Sequence, residues 1–265
     1  IKLVIPATEG DATSTASDLT IDVNMPGTTI IASGTPDAMV YDADAPRMDL
    51  KADISDSLST GTVEAELTGI QVHYTASSAE ADSYQEDLSI KSAVITAAGT
   101  DTANSTDYAL TAKMADFYST IAVSMPKDSA ADAFEVALAK GMTMTSQFGM
   151  GASTFDLSLT EAGAVTQVNV SLKDGMVDVG ANAGKVSYYN IFNGLSVTAT
   201  SPELPVANAA VSLGKSEIHV DLPVVKSDTP AEFTFLFNMT DLSFAEDIWA
   251  MIDPGAAFKH DPATV

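Results

Sequence analysis

The stretch Phe233-Thr-Phe-Leu-Phe-Asn-Met-Thr-Asp-Leu-Ser-Phe-Ala-Glu-Asp-Ile-Trp-Ala-Met-Ile-Asp-Pro-Gly255 decides how the rest of the chain is read. Phe233, Phe235 and Phe237 alternate with Thr234, Leu236 and Asn238, the two-residue period of a strand buried on one face. The spacing then turns helical, with Ile248, Trp249 and Ile252 on one side. Ser243, three residues before Glu246, has the form of a capping box, and Asp247 adds negative charge to the first turn. Asp253-Pro254-Gly255 should stop the helix, because proline cannot continue it and glycine accepts a left-handed turn. A strand, a short capped helix holding the only tryptophan, and a stop describe a packed fold rather than a reaction.

Outward from this stretch the two-residue rhythm dominates. Leu19, Ile21, Val23 and Met25 alternate strictly before Pro26-Gly27, which reads as a turn. Met48, Leu50 and Ala52 repeat the pattern, as do Ile70, Val72 and Tyr74, and then runs over 88–97, 108–114 and 118–125. Further strands are expected from 143 to 239, with Lys173-Asp174-Gly175 and Ala183-Gly184 as tight hairpin turns. The rhythm breaks at Asp128–Lys140, where Ala131, Phe134, Ala137 and Leu138 fall at helical spacing. Asp128 or Ser129 is placed to cap that helix and Gly141 to end it. The chain therefore reads as all-β with two short helices: a long curved antiparallel sheet or a groove-like β-sandwich. Residues 1–265 form a single elongated domain in this reading, with 126–141 as the place where it would divide. A loose echo joins Asp18-Leu19-Thr20-Ile21, Leu67-Thr68-Gly69-Ile70, Gly194-Leu195-Ser196-Val197 and Asp241-Leu242-Ser243-Phe244.

Charge narrows the function. The 265 residues carry 12 Lys and Arg against 36 Asp and Glu, a formal net charge of −24. Such a chain cannot neutralise phosphates, which excludes nucleic acid as a partner, and it is repelled by an anionic membrane surface. With no cysteine, disulfides, thiol catalysis and zinc-thiolate sites are excluded. No apolar run is long enough to cross a bilayer as a helix. A transmembrane barrel is the rival reading of the alternation, but the aromatics do not form two girdles.

Candidate chemistry is sparse. His73, His219 and His260 lack metal-ligand spacing, and no Gly-x-Ser-x-Gly elbow is present. Gly180-Ala-Asn-Ala-Gly184-Lys185 is one residue short of a phosphate loop and joins two strands. Asp42, Asp44 and Asp49 cluster about Ala45-Pro46 and are the candidate calcium ligands, with Glu80, Asp82, Glu86 and Asp87 as a second acidic loop. Met142, Met144 and Met150 read as core fillers or a thioether cluster. No catalytic residue and no cofactor are assigned, and an enzyme is not expected. Phe233, Phe235, Phe237 and Trp249 are the candidate lining for an apolar ligand.

The closing segment, with Asp247, Trp249, Asp253-Pro254 and then Asp261-Pro262-Ala263-Thr264, resembles the ending of a family of bacterial envelope proteins catalogued only as a domain of unknown function. Lys259-His260 departs from it, since a basic residue more usually precedes the second Asp-Pro directly. The resemblance covers about thirty residues and implies export and a periplasmic location, with further strands after Val265. It carries no activity. The sheet pattern is similar to that of larger envelope proteins whose curved sheets hold lipid chains, an analogy of fold only. The expectation is a non-enzymatic periplasmic protein that binds lipid or another apolar ligand in a sheet groove. The alternative is a structural or protein-interaction module of the envelope, steadied by calcium.

Overall fold

A computed structural model describes residues 2–5, 18–55, 58–78, 81–129, 132–206, 209–224 and 232–252. The strands are β1 (Lys2–Ile5), β2 (Asp18–Asn24), β3 (Thr29–Thr35), β4 (Ala38–Ser55), β5 (Ser59–Ser77), β6 (Ala81–Asp101), β7 (Thr106–Pro126), β8 (Thr143–Met150), β9 (Ser153–Glu161), β10 (Ala164–Leu172), β11 (Asp174–Ala181), β12 (Lys185–Thr200), β13 (Ala209–Pro223), β14 (Thr234–Thr240) and β15 (Ser243–Phe244). Two short helices, α1 (Phe134–Ala139) and α2 (Glu246–Ile252), complete the described residues, with a single 3₁₀ turn at Lys127–Ser129. The fold is mostly β: one large antiparallel sheet, partly ringed and not a barrel.

The register simplifies this list. β2 and β3 lie in line along one edge of β4, Asn24 opposite Asp49 and Thr29 opposite Asp44, with no slip between them. β8 and β9 lie in line along β7 in the same way, Tyr118 opposite Gly149 and Met114 opposite Ser153. β10 and β11 follow in line beside them, and β14 and β15 beside β13. The apparent ring β7–β8–β11–β12–β10–β9 is thus two such broken lines laid side by side. Each line neighbours the next in sequence, a meander whose long strands are closed by short reversals.

The breaks form one seam across the sheet. Pairing skips Pro46 opposite Gly69, Gly69 opposite Lys91, Lys91 opposite Asp116, and Gly194 opposite Gly214. On the seam the backbone turns left-handed at Gly27 (φ 73°), Gly69 (60°), Asp116 (49°), Gly194 (63°) and Asp241 (57°). Only glycine and, at a cost, Asp or Asn enter this region readily. Two expected turns are corrected here. Pro26-Gly27 and Lys173-Asp174-Gly175 bend a strand line without reversing it, and β10 pairs with β9 and β12 rather than with β11. Ala183-Gly184 does reverse the chain, with Asn182 Oδ1 accepting from the Gly184 and Lys185 amides.

A left-handed residue also upsets the alternation of side chains, as a bulge does. On β5 the apolar positions are Val63, Ala65 and Leu67 before Gly69, but Ile70, Val72 and Tyr74 after it. β7 changes phase likewise, from Leu110, Ala112 and Met114 to Phe117, Ile121 and Val123. Gly175 shows that the two apolar sets share one side of the sheet. A Cβ there would sit 2.6 Å from the Phe192 ring on its own half and 3.4 Å from Leu172 Cδ2 across the seam.

Burial is shallow. Among the described residues the buried hydrophobics are Ala45, Ala93, Ala137, Leu138, Met142 and Ala181. Four of these form one cluster where α1 covers the end of the sheet, against Val123, Met125, Met144 and Val186. The helix expected over Asp128–Lys140 is shorter: Lys127–Ser129 is the 3₁₀ turn, and α1 starts after Ala133, which supplies no side-chain cap. Lys140 ties the two together, its Nζ donating to the Asp128 carbonyl and the Asp132 carboxylate. Gly141 ends α1 as expected: its amide bonds the Leu138 carbonyl and that of Met142 bonds Ala137, the paired bonds of a Schellman motif. At α2 the expected capping box is absent, because Ser243 pairs with Ser212 in β15 and the helix begins one residue after Ala245. The expected stop at Asp253-Pro254-Gly255 lies outside the described residues.

Candidate functional site

The feature built most extensively is the apolar face itself. On the half of the sheet nearer α2, cross-strand neighbours run Val23, Leu50, Ala65, Ile95, Ala112, Phe155, Val170, Val197, Val211 and Phe244, apolar from edge to edge. The adjacent row on that face runs Ile21, Ala52, Val63, Ala97, Leu110, Leu157, Val168, Ala199 and Ala209, again without a polar residue. On the α1 half the corresponding row is Ile30, Ala43, Val72, Leu88, Ser119, Phe148, Val177, Asn190, Ile218 and Phe237, interrupted by Ser119 and Asn190. Ile54, Tyr84, Ile95, Tyr108 and Phe148 on this face are exposed rather than covered by a second layer. Adjacent strands lie about 4.8 Å apart and rise about 3.3 Å per residue, so the face spans tens of ångströms both ways.

The opposite face is polar and holds most of the ion pairs. Arg47 Nε bonds Asp49 Oδ1 at 2.6 Å and its other end reaches Glu66 at 3.0 Å, which raises the guanidinium's pKa further. Lys51 lies between Asp53 and Glu64. Tyr189 donates to Glu217 at 3.0 Å and Lys215 Nζ donates to the same carboxylate at 2.6 Å. That carboxylate is held below its ordinary range by Lys215 first and Tyr189 second. Asp221 is lowered by its bond from Lys185 at 2.8 Å, and His219 lies 3.3 Å from its other oxygen. Burial, then the Glu217 hydrogen bond, raises the Tyr189 phenol.

The candidate residues fall as follows. Phe235 and Phe237 lie on the apolar face at the edge strand β14, 66% and 55% exposed, opposite Val220 and Ile218. Phe233 precedes β14 and is exposed. Trp249 packs edge-to-face on Phe244 at 5.2 Å, closing one end of an apolar row. The candidate lining is therefore one rim of a surface whose other members, from Val23 to Val211, were not singled out. The signal for them was the change of phase at Gly69 and its equivalents.

Asp42, Asp44 and Asp49 do not form a ligand set. Asp42 takes His73 Nδ1 at 2.6 Å, Asp49 takes Arg47, and the seam separates them. Among the described residues no three His, Asp or Glu side chains converge to hold a metal. Asp82, Glu86 and Asp87 lie within β6 rather than in a loop, and Glu80 is outside the described residues, as is His260. Met142 and Met144 join the α1 cluster, while Met150 sits at the seam opposite Gly175. His73 and His219 lie on the polar face, as expected, and neither ring meets a Ser or Thr hydroxyl among the described residues.

Comparison with known proteins finds no match: no family model, no curated protein and no solved structure resembles the chain closely enough to carry an argument.

Proposed function

We propose that the chain is a non-enzymatic holder of apolar ligands, its sheet receiving the acyl chains of lipid on the apolar face. The observation that carries this reading is the pair of unbroken apolar rows, set on one side of a sheet over which no second layer lies among the described residues. A soluble chain rarely leaves so wide an apolar surface bare, and such surfaces mark partner, membrane or ligand sites. An acyl chain spans half of a hydrocarbon core about 30 Å thick. It therefore fits along one half of a strand line, about ten residues or 33 Å. The acidic outer face holds the loaded protein apart from anionic membrane surfaces. A periplasmic location belongs to the same proposal and rests on the resemblance of the closing segment.

The test is native mass spectrometry of protein purified from its own envelope, followed by organic extraction and lipid analysis. A stoichiometric lipid is expected, and Ile95→Asp should lose it while its neighbour Val94→Asp, on the polar face, keeps it. A bare protein that also ignores added phospholipid overturns the proposal and leaves a structural envelope module as the account.

A further inference from the structure

We propose that copies of this chain join edge to edge, β3 of one against β14 of the next, extending the sheet as an open series. Among the described residues β3 pairs only with β4, and β14 only with β13, so both present an unpaired backbone edge. Native sheets usually defend such edges with charge, proline or a covering element. Here β3 reads Thr-Ile-Ile-Ala-Ser-Gly-Thr and β14 reads Thr-Phe-Leu-Phe-Asn-Met-Thr, neither with a charge, in a chain of net −24.

A second observation concerns the polar face. One row there runs Asp42, His73, Asp87, Thr120, Gln147, Asp178, Tyr189 and His219, polar throughout. The residues that extend it at the two edges are Ile31 and Leu236, both exposed. The pattern fails on the polar face where a further strand would lie. Ile30, 74% exposed, and Phe237 stand at the matching ends of the adjacent apolar row.

Strand direction and register fit this join. β3 runs toward the α1 end and β14 runs away from it, so two copies in the same orientation meet antiparallel. Setting Ile31 opposite Leu236 places Ile30 against Phe237 and Ala32 against Phe235, apolar pairs on both faces. The same register brings Phe244, the last residue of β15, opposite Val23. β1 lies beside Leu19–Asp22 of that strand and Ala245 follows Phe244 in line on Ala210, so the join is built on β3 and β14, and β1 must yield where the two lines meet. A β3–β3 or β14–β14 pair would instead leave one uncharged edge bare in every dimer. The head-to-tail contact joins two different edges and leaves one of each free at the ends, so the series should grow with concentration. This inference stands whether or not the apolar face holds lipid.

The test is sedimentation velocity of the full chain from roughly micromolar to millimolar concentration, the range of weak specific contacts. The wild type should gain mass without a plateau at dimer. Ile31→Lys and Leu236→Lys should each lower self-association at least about tenfold, a change of about 1.4 kcal/mol. Mixing the two should restore a species of dimer mass and no larger, since each keeps the edge the other lacks. Thr29→Lys and Asn238→Lys, beside Asp44 and Glu217 on the polar face, repeat the test should either first variant lose its circular dichroism. In this cysteine-free chain, Ile31→Cys mixed with Leu236→Cys should also form a disulfide dimer, where neither does alone. A wild type monomeric throughout, single variants that associate unchanged, or a mixture that gives no dimer each overturns the proposal.

Discussion

The residues that shape this sheet most are those without a side chain to bury. At Gly194 the backbone lies at φ 63°, and a Cβ would stand 2.9 Å from Lys173 Cβ at the seam between β10 and β11. Gly69 repeats the arrangement with Lys91, at φ 60° and 2.9 Å. A left-handed L-residue costs about 1–2 kcal/mol, and the crowding adds to it. Gly194→Ala should therefore lose about 2–3 kcal/mol, read as a lower urea midpoint at unchanged slope. Asp116, at φ 49°, already bears the conformational cost on its strand, so Asp116→Gly should be close to neutral. Equal stability of Gly194→Ala and wild type would mean that the seam is set by something other than left-handed backbone.

At the scale of elements, α1 shows how little holds the ends of such a sheet. Six residues are far too few for an isolated helix, so its existence depends on what it buries. Leu138, 0% exposed, is the one large apolar side chain among the fully buried described residues, and it lies within the cluster joining α1 to β7, β8, β11 and β12. Leu138→Ala should cost about 2–5 kcal/mol and release fast hydrogen exchange in α1 before the central strands. Uniform exchange throughout would show that the helix is not a separate unit. Much at this scale was legible from the sequence. Leu19, Ile21 and Val23 declared a strand with one apolar face, and the switch to helical spacing at Ile248 and Trp249 located α2. What was not legible was direction. Pro26-Gly27 and Ala183-Gly184 both read as turns from the sequence, yet one bends a line and the other reverses it, because the partner strand decides. Three of the four echoed segments, at Gly69, Gly194 and Asp241, prove to be seam residues, so the weak repeat was a structural one. The rows of the apolar face were hidden for the same reason: no row exists until register joins Val23 to Phe244 through eight other strands.

Over the whole molecule, stability and exposure are two sides of one architecture. A protein of two packed layers buries one apolar face against another. Among the described residues a single sheet supplies nearly all of the fold, and the few buried hydrophobics sit chiefly beneath α1. Backbone pairing along long, unslipped lines carries the structure, while the transfer of apolar surface out of water contributes less than chain length suggests. The heat capacity of unfolding measures that transfer directly. An ordinary globular chain gives about 12–15 cal/mol/K per residue, or roughly 3–4 kcal/mol/K for 265 residues. Calorimetry in dilute solution, where edge contacts are dissociated, should return a value clearly below this range. Addition of a short-chain phospholipid below its micellar concentration should raise both the value and the midpoint, since ligand bound to the native face is expelled on unfolding. A full-sized value without lipid would mean that the apolar face is already covered in the dilute monomer. The exposed rows would then be core, and the site proposed on them would have no room for an acyl chain.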